Sequence, residues 1–247
     1  MDNLYNNKRS SLREKILSNE NSNEVHDAFL NHVRKTPKNR TILDIACGIG
    51  AHLEAIRKKL PNAILEGIDL NQGMLDVAKR KSLGAKLIQT DMREFDLKRN
   101  FDLVYCLSSS IQYNLSTEDF ERTITSMRRH AVDGNVIFDL AYCAEKWREG
   151  YTNITANSND RFDVVEMYTT HSNEGVSIWN PLYLIKDKKT GKMDMHVDKH
   201  RIKLWSISEV EQILSSQGIG YDLRFGFGKN DNHSEIPIFL VKGLKSK

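Results

Sequence analysis

The sequence lacks the features that point to a membrane or secreted protein. No stretch of its 247 residues approaches the about 20 consecutive apolar residues that a membrane-spanning helix needs. Its first residues, Met1 to Lys8, are polar and lack the apolar segment of a secretory signal peptide. We therefore expect a cytoplasmic protein without a membrane partner.

Cysteine and clustered positive charge are also scarce. The three cysteines, Cys47, Cys106 and Cys143, form neither a CxxC pair nor a disulfide framework, as is usual in a reducing compartment. Lysine and arginine leave a net charge of only +3 and are scattered along the chain. A dedicated nucleic-acid binder usually concentrates them on one face, so we expect no nucleic-acid partner.

No stretch has the spacing of a strong metal-binding motif. Asp194, His196 and His200 are residue types that ligate metals, and the alternation of a strand could put them on one face. Such residues on an exposed strand are more often only solvated, so we expect no bound metal.

From about residue 39 to 145, apolar β-rich runs alternate with segments of helical spacing. Strands separated by helices of this length imply right-handed crossovers and a parallel sheet. Two-residue alternation then predicts three antiparallel strands, Arg161–Thr170, Val176–Ile185 and Met193–Leu204. A helix that begins at Ser206 with a capping-box pattern, followed by a hairpin, completes the chain.

The expected fold is therefore α/β, a Rossmann-like, mostly parallel sheet with helices on both faces and an antiparallel β insertion before the last helix. Residues 1–38 would form an N-terminal helical cap, and residues 39–145 with 206–247 the core. Residues 146–205 would form a β-rich lid over a substrate. In such sheets, ligands bind at the carboxyl ends of the strands.

The first strand ends in a glycine loop, residues 44–50 (DIACGIG), and a helix follows at once. Gly48 and Gly50 allow a tight turn and a close approach of the backbone to a ligand. A dinucleotide fingerprint needs a third small residue where this chain has Leu53. Asp44 would repel a phosphate but can pair with an ammonium group. The loop favours a zwitterionic nucleoside without phosphate over NAD, and so argues against an oxidoreductase.

Two further acids follow the next strands. Asp69 ends the second strand, at about the distance from the glycines at which a carboxylate binds ribose hydroxyls. Asp91 follows the third strand and can accept from an adenine amine, while Met74 and Met92 offer polarizable surface for the ring. Each acid alone could be a cap or a loop residue. Their order at three successive strand ends predicts a nucleoside site.

These motifs resemble the class I S-adenosylmethionine-dependent methyltransferase superfamily from about residue 40 to 140, and the terminal helix and strands follow in the expected order. The resemblance implies an enzyme that uses S-adenosyl-L-methionine and releases S-adenosyl-L-homocysteine. Ile49 departs from the family pattern, which often has Thr or Ser there. The expected cofactor-binding residues are Asp44, Ala46, Gly48, Gly50, Asp69, Leu70, Met74, Asp91, Met92 and Leu107.

Three segments are similar to the N-methyltransferases that dimethylate amino groups of nucleotide-linked sugars: residues 44–53 (DIACGIGAHL), 91–93 (DMR) and 108–113 (SSSIQY). This similarity implies a small polar acceptor methylated at an amino nitrogen. A small-molecule O-methyltransferase and an amino-acid N-methyltransferase are alternatives, and so is a non-catalytic protein that binds S-adenosylmethionine.

Catalytic and acceptor residues are expected around the loop after the fourth strand. Tyr113 in that loop is one catalytic candidate. His130, which falls where those enzymes carry a histidine, is the other, either as a general base or as a residue that complements the helix dipole. The oligomeric state is left open between monomer and homodimer. Candidate substrate-binding residues are Ser109, Gln112, Tyr142, Trp179 and Arg201, the last as a phosphate ligand.

Overall fold

The computed structural model describes residues 29–34, 40–227 and 235–245. The expected cap over residues 1–38 lies largely outside the described residues. Residues 29–34 are helical, and the other α-helices are α1 (Ala51–Lys59), α2 (Gln72–Arg80), α3 (Thr117–Arg129) and α4 (Ile207–Ser216). The strands are β1 (Thr41–Ile45), β2 (Ile64–Asp69), β3 (Ala85–Gln89), β4 (Leu103–Cys106), β5 (Asn135–Asp139), β6 (Thr152–Ser158), β7 (Phe162–Thr169), β8 (Ser172–Asn173), β9 (Val176–Trp179), β10 (Leu182–Asp187), β11 (Met193–Val197), β12 (His200–Lys203), β13 (Tyr221–Phe225) and β14 (Pro237–Lys242).

The central sheet has seven strands in the order β13-β14-β5-β4-β1-β2-β3. Strands β1 to β5 are parallel, whereas β14 runs antiparallel to β5, and β13 runs antiparallel to β14. The chain order reverses between β1 and β4. In an open sheet of this kind, that reversal leaves a crevice at the carboxyl ends of the two strands.

Helices cover both faces of this sheet, which confirms the predicted α/β fold. Successive strand residues face opposite sides, so Ile42 and Leu43 belong to different apolar cores. The core that contains Leu43 includes buried side chains of α3 and α4, such as Phe120 and Leu214. The core that contains Ile42 includes side chains of α1, α2 and residues 29–34. Because both faces are covered, the central strands read as continuous apolar runs.

The helices begin at side-chain caps that their sequences supply. Asn71 caps α2, and Ser206 caps α4 in the predicted capping box with Glu209. Ser116 caps α3, and its hydroxyl accepts from the N–H of Asp119. No helix among the described residues is both long and apolar enough to cross a bilayer.

The insertion contains more strands than the three predicted. It forms a four-stranded sheet, β11-β10-β7-β6, and a three-stranded sheet, β12-β9-β8. Pro181 divides the predicted strand Val176–Ile185 into β9 and β10, because proline fixes φ and has no N–H for a ladder. A second break at residues 198–199 separates β11 from β12. Each break transfers the chain from one sheet to the other.

Candidate active site

The glycine loop follows β1 and turns through three left-handed residues. Ala46, Gly48 and Gly50 have φ angles of 57°, 54° and 73°. A Cβ on Gly50 would lie 2.7 Å from Leu83 Cδ1. This glycine therefore lets the start of α1 pack closely against the end of α2 and the turn that follows it. A Cβ on Gly48 would have no atom of the described residues within 4 Å. Gly48 therefore serves the backbone turn and borders open space in which a ligand can approach.

Asp44 lies near the end of β1 and is almost completely buried. Its Oδ2 atom and the hydroxyl of the buried Tyr105 make no hydrogen bond of good geometry among the described residues, although the two groups are close enough to interact with each other. Burial raises the pKa of the Asp44 carboxyl well above its usual range; the Tyr105 hydroxyl opposes this increase, and nearby Asp69 adds to it. A buried carboxylate without a partner is costly, and an ammonium group placed against it would restore its charge. The site therefore fits the amino-acid part of S-adenosylmethionine.

Asp69 ends β2 and ties that strand to the glycine loop. Its Oδ2 accepts from the backbone N–H of Gly48 at 2.8 Å, and its Oδ1 accepts from the N–H of Asn71 at 2.8 Å. An ionised carboxylate has about four lone-pair sites, so these bonds leave capacity for ribose hydroxyls. The adjacent Leu70 is 55% exposed and offers apolar surface beside the carboxylate.

Asp91, which follows β3, is held by Arg93. Its Oδ1 accepts from both the backbone N–H and the Nε of Arg93 at 2.9 Å, and Arg93 also reaches Asp119 at 3.0 Å. These hydrogen bonds lower the pKa of Asp91 below its usual value. Met92 packs against a main core, and Met74 is buried beside Ile49.

The ten expected cofactor residues thus sit in or beside the segments that follow β1, β2, β3 and β4. Leu107 is the buried residue that directly follows β4. Their contacts with a cofactor stay a prediction.

The segment after β4 is anchored to the end of β5 by a carboxylate. Ser108 and Ser109 have φ angles of 57° and 60°, which are unusual for residues with a side chain. Asp139 accepts from their backbone N–H groups at 2.9 and 2.6 Å. Burial raises the pKa of Asp139 to about 6 although these two bonds oppose the increase. The Oγ of Ser109 in turn accepts from the N–H of Ala141 at 3.0 Å.

Gln112 is completely buried and connects three chain segments. Its Oε1 accepts from the N–H of Tyr142 at 3.1 Å, and its Nε2 donates to the carbonyls of Tyr142 and Lys203, both at 2.9 Å. The amide predicted to bind substrate thus joins the β4 loop, the β5 loop and the end of β12. Its polar groups are used within the protein.

Tyr113 meets a histidine of the insertion. Its hydroxyl lies 2.5 Å from Nδ1 of His200. On the other side of the ring, Nε2 of His200 lies 3.6 Å from Oδ2 of Asp198. The indole of Trp179 stacks on His200 with ring centroids 4.6 Å apart. His200 and Asp198 are both buried. Sequence reasoning named Tyr113 and Trp179 but considered His200 only as a metal ligand, and it missed Asp198.

A cavity of about 280 Å³ lies between the β5 loop and the insertion. Two of the residues that line it, Ser177 and Trp179, each carry a buried polar atom, Oγ and Nε1, without a hydrogen-bond partner in the part of the chain that the structure describes. Lys146 at the rim pairs with Glu235 at 3.3 Å. The residues that line the cavity are Ala141, Tyr142, Lys146, Trp147, Arg148, Tyr151, Tyr168, Thr170, Ser177, Trp179 and Ile202.

Two predicted residues lie elsewhere, and their positions correct the expectations from sequence. His130 ends α3 beside Phe101, at the amino end of β4, which is the edge opposite the glycine loop. Its Nε2 accepts from the N–H of Leu97 at 2.9 Å and its Nδ1 faces the carbonyl of Ser126 at 2.8 Å. A base there cannot reach an acceptor in the crevice.

Arg201 is the second such residue. It is exposed and pairs with Ile178 on β9, whereas the neighbouring His200 pairs with Trp179. Successive residues of a strand face opposite sides, so Arg201 points away from the face that carries His200 and Trp179. It does not line the cavity.

Comparisons with known proteins agree with this geometry. Residues 42–134 match a family described as a methyltransferase domain. The chain is 28% identical over 196 residues to dTDP-3-amino-3,6-dideoxy-alpha-D-glucopyranose N,N-dimethyltransferase of Streptomyces fradiae, with 78% of this chain and 75% of that protein covered.

Two solved structures share the fold. The crystal structure of Streptomyces venezuelae DesVI aligns with a TM-score of 0.83 at 22% identity, over 97% of this chain and 100% of that one. The S-adenosylmethionine-bound structure of CalS10, an amino pentose methyltransferase from Micromonospora echinaspora, aligns with a TM-score of 0.75 at 20% identity, over 96% of each chain.

Proposed function

Because the chain is a class I S-adenosylmethionine-dependent methyltransferase, we propose that it methylates the amino nitrogen of a nucleotide-linked amino sugar. The observation that carries the proposal is the cavity beside the carboxyl edge of the sheet. It combines aromatic walls with two buried polar groups, Ser177 Oγ and Trp179 Nε1, that have no partner among the described residues. Unpaired polar groups are costly; both belong to residues that line the cavity, and a sugar bound there would bring hydroxyls close to them.

S-adenosylmethionine, when bound, supplies an electrophilic methyl group. The chain then has to bind and align both molecules, which accounts for much of the rate in such transfers. In our proposal, Asp44 pairs with the ammonium group of the cofactor, Asp69 accepts from the ribose hydroxyls, and Asp91 with Met92 contacts the adenine. Gly48 leaves room for the ligand beside the loop.

The acceptor part of the proposal assigns a role to each side of the cavity. Tyr142, Tyr168 and Trp179 provide flat apolar surface for a base or a sugar ring. Arg148 provides the charge for a diphosphate, and its guanidinium has no acidic partner among the described residues. Guanidinium groups suit phosphate because their planar donors bind two oxygens at once. Ser109 and Tyr113, in the loop after β4, would border the reacting nitrogen.

The direct test is a panel of acceptors. The full chain would be incubated with S-adenosylmethionine and, separately, with nucleotide-linked amino sugars, free amino acids and catechol-like diols. Mass spectrometry should detect one or two added methyl groups on an amino sugar. Methylation of amino acids or diols alone, with no amino-sugar product, would contradict the proposal.

A pair of arginine variants tests the acceptor site. Arg148→Gln should raise KM for a diphosphate-linked acceptor about tenfold, the effect of one hydrogen bond to a charged group. KM for S-adenosylmethionine should not change. Arg201→Gln is the matched control on the opposite face of the insertion and should leave both KM values unchanged. If Arg201→Gln raised KM for the acceptor more than Arg148→Gln did, Arg201 would be the phosphate ligand, as the sequence suggested.

Two alternatives have their own signatures. We expect turnover to persist after treatment with a chelator, whereas a strict magnesium requirement would point to an O-methyltransferase that acts on a diol. A non-catalytic protein would bind S-adenosylhomocysteine but give no methylated product with any acceptor of the panel.

The proposal also covers the location of the protein, its partners and its oligomeric state. The three cysteines are free and buried, which supports a cytoplasmic location. We also propose that the acceptor is a small molecule and that the protein has no nucleic-acid partner. Its oligomeric state is either a monomer or a homodimer. Sedimentation of the purified chain, alone and with RNA, would test both expectations.

A further inference from the structure

The acceptor side of the crevice contains a polar chain that runs from Tyr113 to two residues of the insertion with no role so far, His200 and Asp198. Tyr113, from the loop after β4, contacts His200 of the insertion through Oη and Nδ1, 2.5 Å apart. His200 in turn faces Asp198, with Nε2 and Oδ2 3.6 Å apart. The three side chains come from two distant parts of the sequence, and two of them are buried. Burial of a His–Asp pair is costly unless its members support each other.

The order of these groups determines where the protons lie. A carboxylate close to Nε2 favours the proton of a neutral imidazole on that nitrogen, and leaves Nδ1 as a hydrogen-bond acceptor. The hydroxyl of Tyr113 then donates to Nδ1. A hydroxyl that donates its proton can still accept, so that Tyr113 offers an acceptor rather than a donor to the crevice.

We propose that His200 is a positioning residue that, with the Asp198 carboxylate facing its other ring nitrogen, orients the Tyr113 hydroxyl so that its oxygen accepts a hydrogen bond from the amino group of the methyl acceptor. This inference rests on the proposed function for the identity of the acceptor. An N–H held by Tyr113 fixes the direction of the nitrogen lone pair, which must point at the methyl carbon for displacement. The stack of Trp179 on His200 keeps the imidazole plane fixed.

His196 and the fold itself restrict the arrangement further. Nε2 of His196 lies 3.6 Å from Oδ1 of Asp198, so the carboxylate has a histidine at each oxygen. The N–H of Asp198 donates to the carbonyl of Pro181 at 3.0 Å. Asp198 therefore sits at the chain break where the insertion passes from its four-stranded to its three-stranded sheet, and it is held there independently of Tyr113.

The first test reads the proton positions without any acceptor. The full chain would be labelled with ¹⁵N-histidine, and the His200 signals would be assigned by their loss in His200→Asn. We expect a neutral ring with the proton on Nε2 and an unprotonated Nδ1. Asp198→Asn should lower the Nε2-protonated fraction. A ring protonated on Nδ1, or on both nitrogens, would overturn the proposal even if the acceptor is an amino sugar.

The second test compares two replacements of His200. His200→Asn keeps an oxygen acceptor near the position of Nδ1, whereas His200→Phe keeps a ring that can stack on Trp179 but has no acceptor. We expect kcat of His200→Phe to fall about tenfold, as in Tyr113→Phe, which is the effect of one lost hydrogen bond. His200→Asn should stay within about threefold of the unmodified enzyme.

If His200 only fills space, the order is reversed, because the phenyl ring preserves packing better than an amide. A His200→Phe enzyme as active as His200→Asn, or more active, would therefore overturn the inference. Affinity for S-adenosylhomocysteine and the melting temperature should not follow kcat in these variants. His171→Asn is the matched control, since His171 is an exposed histidine of the same insertion.

Discussion

Four aspartates lie near the carboxyl ends of neighbouring strands, and each has a different environment. Asp69 and Asp139 accept from backbone N–H groups, and Asp91 accepts from an arginine. Oδ2 of Asp44 makes no hydrogen bond of good geometry among the described residues, and its neighbour is the buried Tyr105 hydroxyl. The sequence could identify the acids after the first three strands because their spacing follows the strands. It could not reveal the partners, which come from other loops and depend on tertiary packing.

Asp69 provides a direct test of the cofactor site. Asp69→Ala should weaken binding of S-adenosylhomocysteine by about 1.5–3 kcal/mol, the usual range for hydrogen bonds to a charged group. Part of the loss would come from the glycine loop, because Gly48 also loses its carboxylate partner. Calorimetry would measure the change. Asp76→Ala, an exposed carboxylate on α2, should leave the affinity unchanged.

His130 should affect stability rather than turnover. Burial lowers its pKa below the usual 6.5, and Nε2 can accept from Leu97 only while the ring is neutral. The unfolded chain takes up a proton as the pH falls below about 6.5, whereas the folded chain resists it. The stability that His130 contributes is therefore present above that pH and is lost as the pH falls towards the lower folded-state pKa.

The variant that tests this role is His130→Gln. It should destabilise the protein by about 1–3 kcal/mol at about pH 7.5, with a smaller deficit at about pH 5.5. Denaturant unfolding at the two pH values would measure both numbers. Turnover of the folded variant should stay within about threefold, while a loss of ~10²-fold or more would make His130 a general base after all.

Among the secondary-structure elements, those of the central sheet were more predictable than those of the insertion. In the core, apolar runs bounded by Gly, Pro and Asp marked β1 to β5 within a few residues. In the insertion, β6 was missed because Thr152–Ser158 contains only Ile154 and Ala156 as apolar residues. Its pairing with β7 along seven residues depends on the partner strand, not on its own pattern.

Gly67 in β2 tests how closely the glycine loop and α1 pack against the central sheet. A Cβ on Gly67 would lie 2.8 Å from Cys47 Sγ and 2.9 Å from Leu53 Cδ1, so Gly67→Ala should push the glycine loop and α1 away from the sheet. We expect a loss of about 1–3 kcal/mol in unfolding free energy, as for other overpacked cores. A Cβ on Gly220 would meet no atom within 4 Å in the part of the chain that the structure describes. Gly220→Ala should therefore be neutral or stabilising by less than about 1 kcal/mol, and equal losses in both variants would contradict the packing argument.

On the scale of the whole molecule, the central sheet carries the cofactor motifs and the insertion carries most of the cavity wall. The two ends of the insertion meet, since the N–H of Ala144 donates to the carbonyl of Trp205 at 3.1 Å. Replacing residues 147–203 by a short glycine–serine linker should therefore abolish acceptor turnover. Binding of S-adenosylhomocysteine should persist within about tenfold, provided that circular dichroism reports a folded core. Normal turnover in the shortened protein would contradict the assignment of the acceptor to the insertion.

The meeting of Ala144 with Trp205 also has an evolutionary consequence. A segment whose two ends are already neighbours can change in length and sequence at little cost in loop-closure entropy, and its variation leaves the strand order of the core untouched. Acceptor preference can then diversify by exchange of one continuous segment, while the methyl-donor chemistry is inherited unchanged. Grafting the corresponding segment of a relative between Ala144 and Trp205 should transfer that relative's acceptor preference to this chain.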